Sequence, residues 1–197
     1  MGSRGITGIC QIVKMTIDYL KELGAKPFIV SAMGSHGGGT KEGQREVLTG
    51  YGITEEAMGV PVVTGADTVD LGVNADGNHV WFDRAAYESD LIVPINRVKL
   101  HTDFIGELQS GLCKMLVIGL GNQKGCSAAH ETDFCKFSNM LEESARLIIE
   151  KAPIGFGIAI MENAFDETCH LEAIPAQRMI AREKELVKLC VEKMPYI

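Results

Sequence analysis

Pro27-Phe-Ile-Val-Ser-Ala-Met33 is an apolar run of strand length, and Gly34-Ser-His-Gly-Gly-Gly39 follows it directly. A run that is apolar on both faces reads as a buried strand of a parallel sheet. Thr40 is placed to cap a helix running to about Thr49. The same order recurs downstream, where Asp90-Leu-Ile-Val-Pro-Ile95 leads into a loop over residues 96–104. Shorter strands are expected at Pro61-Val-Val-Thr64 and Thr68-Val-Asp-Leu71. Asp76-Gly77 is a hairpin signal with His79-Val-Trp-Phe82 returning. Ile9, Val13, Ile17 and Leu20 have helical spacing and Gly24 stops them. Thr54 is placed to cap a further short turn. Further helical segments are expected over 111–118 and 124–130, at Phe137, Leu141, Ala145 and Ile148, and over 176–193 before Pro195. Residues 154–161 read as a strand, weakened by Gly155 and Gly157. The pattern predicts one α/β domain over residues 1–197, with a largely parallel sheet flanked by helices. Sites in such sheets form at the carboxyl ends of strands, where both loops fall.

The chain has 197 residues, enough for a sizeable core, with 46% hydrophobic and 23% charged residues. A net charge of -7 argues against a nucleic-acid partner. No run approaches the ~18 apolar residues of a membrane span, and the start has no apolar signal-peptide core. A cytoplasmic protein is expected. The six cysteines include no Cys-x-x-Cys pair, so most read as small buried hydrophobes rather than a disulfide framework.

Chemistry concentrates between Asn96 and His130. Val98-Lys-Leu-His101-Thr-Asp-Phe104 is followed by Ser110-Gly-Leu-Cys-Lys114, Gly119-Leu-Gly121 and His130. Imidazole exchanges a proton near neutral pH or binds a borderline metal, and a lysine amine can bond covalently to a cofactor. His36, among glycines that allow close backbone approach, reads equally as a ligand loop and as a tight turn. Asp103 is placed to orient His101 or to cap a turn. Lys114 lies in an apolar run where a cation is costly to bury, unless its stem snorkels. His130 reads as a metal ligand or as a histidine favoured by a helix C-terminus. His79 and His170 read as structural. The spacing of Gly119-Leu-Gly-Asn-Gln-Lys-Gly125 is too long for a dinucleotide fingerprint.

At these residues the chain resembles the lactate racemase family, the nickel-pincer-dependent 2-hydroxyacid racemases and epimerases. The resemblance covers nearly all of the chain and corresponds to that family's N-terminal, catalytic domain. It implies that His36 and His101 are the two catalytic histidines. It implies that Lys114 carries the nickel-pincer nucleotide covalently, that His130 ligates the nickel, and that Arg4 holds the substrate carboxylate. The implied reaction is proton-coupled hydride transfer that inverts a 2-hydroxy acid. Its implied partners are that small-molecule substrate and the cofactor-biosynthesis proteins. Departures are visible. The family's Asp-x-Thr-Arg-Pro segment is Met1-Gly-Ser-Arg-Gly5 here, the His36 loop reads Gly-Ser-His-Gly-Gly, and the interval from His101 to Lys114 is longer. Family members continue into a second α/β domain, which this chain is expected to lack. Two other readings are a zinc hydrolase using His36, His101 and His130, and a non-catalytic truncated domain.

Overall fold

Helix α1 (Ile9–Glu22) buries Ile9, Val13 and Ile17, the stripe its spacing predicts. The structure is a computed structural model and describes residues 5–193. Strand β1 (Ile29–Val30) pairs in parallel with β2 (Val62–Val63). Between them a 3-10 turn (His36–Gly39) leads into α2 (Lys41–Gly50) and α3 (Glu55–Met58). Thr40 and Thr54 cap these two helices, their hydroxyls accepting the Gly43 and Ala57 N–H groups at 3.1 Å.

Strands β3 (Thr68–Val73) and β4 (His79–Asp83) form the antiparallel hairpin that Asp76-Gly77 signals, with Gly77 at φ 85°. The Asp83 carboxylate then accepts the Ala86 N–H at 2.9 Å and starts α4 (Arg84–Tyr87). After β5 (Ile95–Arg97), a short α5 (Leu112–Lys114) continues as a π-helix (Met115–Gly119). Helices α6 (Asn122–His130) and α7 (Phe137–Lys151), strands β6 (Phe156–Glu162) and β7 (Thr168–Pro175), and α8 (Met179–Lys193) complete the order.

The α/β class stands, but the sheets are small and mixed rather than one large parallel sheet. β5 and β6 are parallel, whereas β6 and β7 are antiparallel. The physical reasons are local. Pro94 has no N–H, and only an isolated Ile92–Ile154 bridge precedes β5. Asn163 Oδ1 accepts the N–H groups of Phe165 and Glu167, a turn that sends the chain straight back as β7.

Strand β6 separates two cores. Ile160 packs with Ile9, Val13, Leu48 and Ile95, while Ala159 and Met161 pack with Leu112, Leu116, Leu141 and Met179. This is the two-residue period of a strand buried on both faces. Gly157 belongs in the strand because a side chain there would meet Leu112 and Met179 carbons at 2.7 and 2.9 Å. Among the described residues, no helix is long and apolar enough to cross a membrane.

Candidate active site

The loop after β1 is fixed against the π-helix. Gly34 N–H donates to the Gly119 carbonyl at 3.0 Å. Gly34 has φ 59°, and a β-carbon there would lie 3.0 Å from the Ile118 carbonyl oxygen, so glycine meets both the conformation and the close approach. The loop continues to Ser35, whose hydroxyl lies 3.6 Å from the Cys126 thiol of α6, and then to the half-buried His36. The first histidine loop is thereby attached to the helix that ends in His130.

The Lys114 segment is held from β5 and from α8. Asn96 Nδ2 donates to the Gly111 carbonyl at 2.8 Å. Lys99 and Ser110 exchange two backbone hydrogen bonds, at 2.9 and 3.2 Å. Glu183, fully buried on α8, accepts the Cys113 N–H at 3.0 Å. Lys114 itself is half-buried at the junction of α5 and the π-helix. Short π segments widen a helix and recur at functional sites.

Three of the sequence-derived residues meet around one aromatic pair. Phe104 and Phe137 are both buried, with ring centroids 4.8 Å apart. The His101 ring lies 4.3 Å from Phe104, and the Lys114 ammonium lies 5.9 Å from the same ring. The His130 ring meets Phe137 edge-on at 6.0 Å. Aromatic faces attract cations and exclude water from one side of each polar group.

The hydrogen bonds of two imidazoles assign their nitrogens. His130 Nδ1 lies 2.6 Å from the Cys126 carbonyl oxygen. A carbonyl only accepts, so Nδ1 carries the proton and the Nε2 lone pair points elsewhere. That is how metal-binding histidines are oriented. His101 Nδ1 accepts the Asp103 N–H at 3.1 Å, with Asp103 Oδ2 at 3.9 Å. The Gln109 amide oxygen also accepts the His101 N–H at 2.7 Å, fixing the loop.

His79 lies 3.4 Å from Asp70 and stacks on Trp81, and His170 pairs with Glu172 at 2.9 Å; both serve local structure. Arg4 lies outside the described residues. Among the described residues, no group of three or more His, Cys, Asp or Glu side chains is arranged to hold a metal, which a zinc site built on three histidines requires. A single histidine with a lysine on the same aromatic pair instead suits a metal whose other ligands come from an organic group. Phe104, Phe137, Cys126, Asn96 and Glu183 join the site without having been singled out from sequence. Buried Asn122 at the start of α6 has φ 52° and donates to Asp83 at 2.8 Å, and among the described residues its Oδ1 has no hydrogen-bond partner. Such strain and unmet polarity cluster at functional loops.

Residues 3–141 match the model of the lactate racemase N-terminal domain. The chain belongs to the lactate racemase N-terminal domain family. It is also similar to the lactate racemase apoprotein from Thermoanaerobacterium thermosaccharolyticum, with a TM-score of 0.66 and 15% identity. That match covers 88% of this chain and 45% of the racemase chain, so this lactate racemase-type domain spans less than half of that relative. At this identity the likeness speaks for the fold. No curated protein matches the sequence. The family match ends within α7, so β6, β7 and α8, with Glu183, lie beyond it.

Proposed function

We propose that this domain serves a racemase or epimerase of 2-hydroxy acids that uses a nickel-pincer nucleotide. The observation that supports this most directly is the His130 Nδ1 bond to the Cys126 carbonyl, which leaves Nε2 for a metal. Its helix shares the Phe104–Phe137 pair with Lys114 and His101.

The residues divide the work as follows. Lys114 would anchor the nucleotide through its amine, and His130 Nε2 would hold the nickel. When bound, the group supplies reversible acceptance of the substrate's α-hydride. His36 and His101 would each take or return the substrate hydroxyl proton, one for each enantiomer, since inversion needs an acid–base group on both faces. Because Nδ1 accepts the Asp103 N–H, Nε2 carries the ring proton and His101 in this arrangement would return the hydroxyl proton. Taking a proton at Nε2 would require the ring proton on Nδ1 instead, a form favoured by the Asp103 carboxylate charge 3.9 Å away. Arg4 would bind the carboxylate. Phe104 and Phe137 would keep water from one side of the reacting groups. The cofactor-biosynthesis proteins would be partners, and the compartment would be the cytoplasm where they act.

Intact mass and nickel content after co-expression with the cofactor-making proteins test this reading. The expected result is a mass gain of one nucleotide mapped to Lys114, with nickel retained. An adduct on another lysine, or zinc bound without any adduct, overturns it.

A further inference from the structure

Glu183 has no place in the reaction as derived, yet it is fully buried and faces the turn that carries Lys114. A carboxylate is seldom buried unless something holds it. Here Oε2 accepts the Cys113 N–H at 3.0 Å, and among the described residues Oε1 has no hydrogen-bond partner. Gly111 completes the cradle. A β-carbon at that position would overlap both carboxylate oxygens, so the absence of a side chain makes the space that Glu183 fills. From the opposite side Asn96 holds the Gly111 carbonyl at 2.8 Å. The turn is thus gripped at its carbonyl by the end of β5 and at its amide by α8.

We infer that Glu183 is a positioning residue: its carboxylate holds the first amides of the turn and so sets the orientation of the Lys114 amine. A full-length acceptor on α8 reaching a helix start on α5 costs the burial of a charge. An apolar residue would fill the same volume without that cost. The cost is met where a defined backbone orientation matters, and the third residue of this turn is Lys114. The inference rests on the proposed role of Lys114, but it makes a claim about amine orientation that stands without any cofactor.

The charge state of Glu183 gives a handle. Burial pushes its carboxyl up to about 7, against the pull of the Cys113 and Leu112 amides. Facing it are the Cys113 thiol on α5 and the Cys190 thiol on its own helix, both raised by burial, Cys190 to about 11. Glu142 of α7, which acts on Cys113, stays below the ordinary carboxylate value because Lys184 and Arg146 outweigh its burial. None of these three titrates near neutrality, and a transition there is assigned to Glu183 where Glu183→Gln removes it.

The test uses the parent chain and Glu183→Gln. Hydrogen exchange at the Leu112 and Cys113 amides is measured from pH 6 to 8, corrected for intrinsic rates and referenced to Ile148 in α7. Acylation of Lys114 by a small activated acetate ester is measured over the same range by peptide mass, as a ratio to exposed Lys41. In the parent, protection of the two amides should rise through pH 7, and the Lys114 to Lys41 ratio should change with it. In Glu183→Gln both transitions should vanish, and the amides should exchange about tenfold faster at pH 8, the scale of one charge-assisted hydrogen bond. Unchanged exchange in the variant, or changed exchange with an unchanged labelling ratio, overturns the inference. If that variant does not fold, Glu183→Asp, one methylene shorter, decides: unchanged exchange at the two amides with an unchanged labelling ratio overturns the inference. No arm uses the nucleotide, so failure of Lys114 to take a cofactor counts against the proposed function and not against this result.

Discussion

His130 Nδ1 lies 2.6 Å from the carbonyl oxygen of Cys126, one helical turn earlier. The contact fixes the tautomer of a ring that is otherwise exposed, and it spends a backbone carbonyl near the end of α6 to do so. Replacing His130 with Ala should lower nickel retention in the co-expressed protein while leaving the Lys114 mass adduct in place. Metal analysis beside intact mass checks this. Equal nickel content in parent and variant would remove His130 from the metal site.

The two histidines proposed as acid–base groups should behave differently from His130. His36→Ala and His101→Ala should each keep adduct and nickel and lose racemisation by about 10²–10⁴-fold, the usual contribution of one positioned acid or base. Asp103→Asn should cost about 10–10²-fold, the scale at which a functional histidine loses its orienting partner. The assay is enantiomer interconversion by a version carrying any further domain, over a panel of 2-hydroxy acids. A His101 variant that turns over at the parent rate would end the two-base reading.

Stability should carry two opposite pH signatures. The Arg182 guanidinium, bonded to Glu172 through both Nε and Nη2, holds that carboxyl down at about 2, with His170 assisting. Its folded-state pKa is depressed below the ordinary 4.5. The stabilisation is therefore present above about 4.5 and lost as pH falls through about 2. Glu183 is raised to about 7, so the folded chain keeps a proton that the unfolded chain has released. Its contribution is fully present below about 4.5 and lost as pH rises through about 7. Difference curves of urea midpoint against pH should show Glu172→Gln removing the acid slope and Glu183→Gln removing the slope between about 4.5 and 7. A Glu183→Gln curve parallel to the parent across that interval would mean that Glu183 is not raised.

Phe104 is 5% exposed and contacts His101, Phe137 and Lys114 together. Phe104→Ala should destabilise the fold by about 3–5 kcal/mol, as large-to-small changes in packed aromatic sites do. Urea unfolding measures it. A loss under about 1 kcal/mol would show that the pair does not order the site.

Much of this was legible from residue order. Thr40 and Thr54 cap where their spacing places them, Asp76-Gly77 turns the first hairpin, and the stripe from Ile9 to Ile17 is the buried face of α1. Strand extent was less legible because tertiary contacts set it. The apolar run from Pro27 to Met33 contributes only Ile29–Val30 to a sheet, since its partner β2 is just as short. Gly157 reads as a strand breaker until Leu112 and Met179 are seen to occupy its side-chain space. At the site, His101, Lys114 and His130 stand out by chemistry, whereas the Phe104–Phe137 contact joins segments that no local pattern relates. Glu183 did leave a mark. It falls on the same helix face as buried Met179, Leu186, Val187 and Cys190, and a carboxylate in such a stripe signals a buried partner.

The two-faced packing of β6 has a consequence for how this protein can vary. Ile160 looks toward α1 and α2, while its neighbours Ala159 and Met161 look toward the helices that carry Lys114. One strand thus backs both the compartment behind the His36 loop and the compartment behind Lys114. Drift in Ile9, Val13 or Ile160 acts through packing, because the strand's own backbone stands between them and the Lys114 side. Drift in Met161 or Leu112 would disturb packing and the setting of Lys114 at once. Substitutions confined to the α1 contacts of β6 can therefore accumulate while the surroundings of Lys114 stay the same.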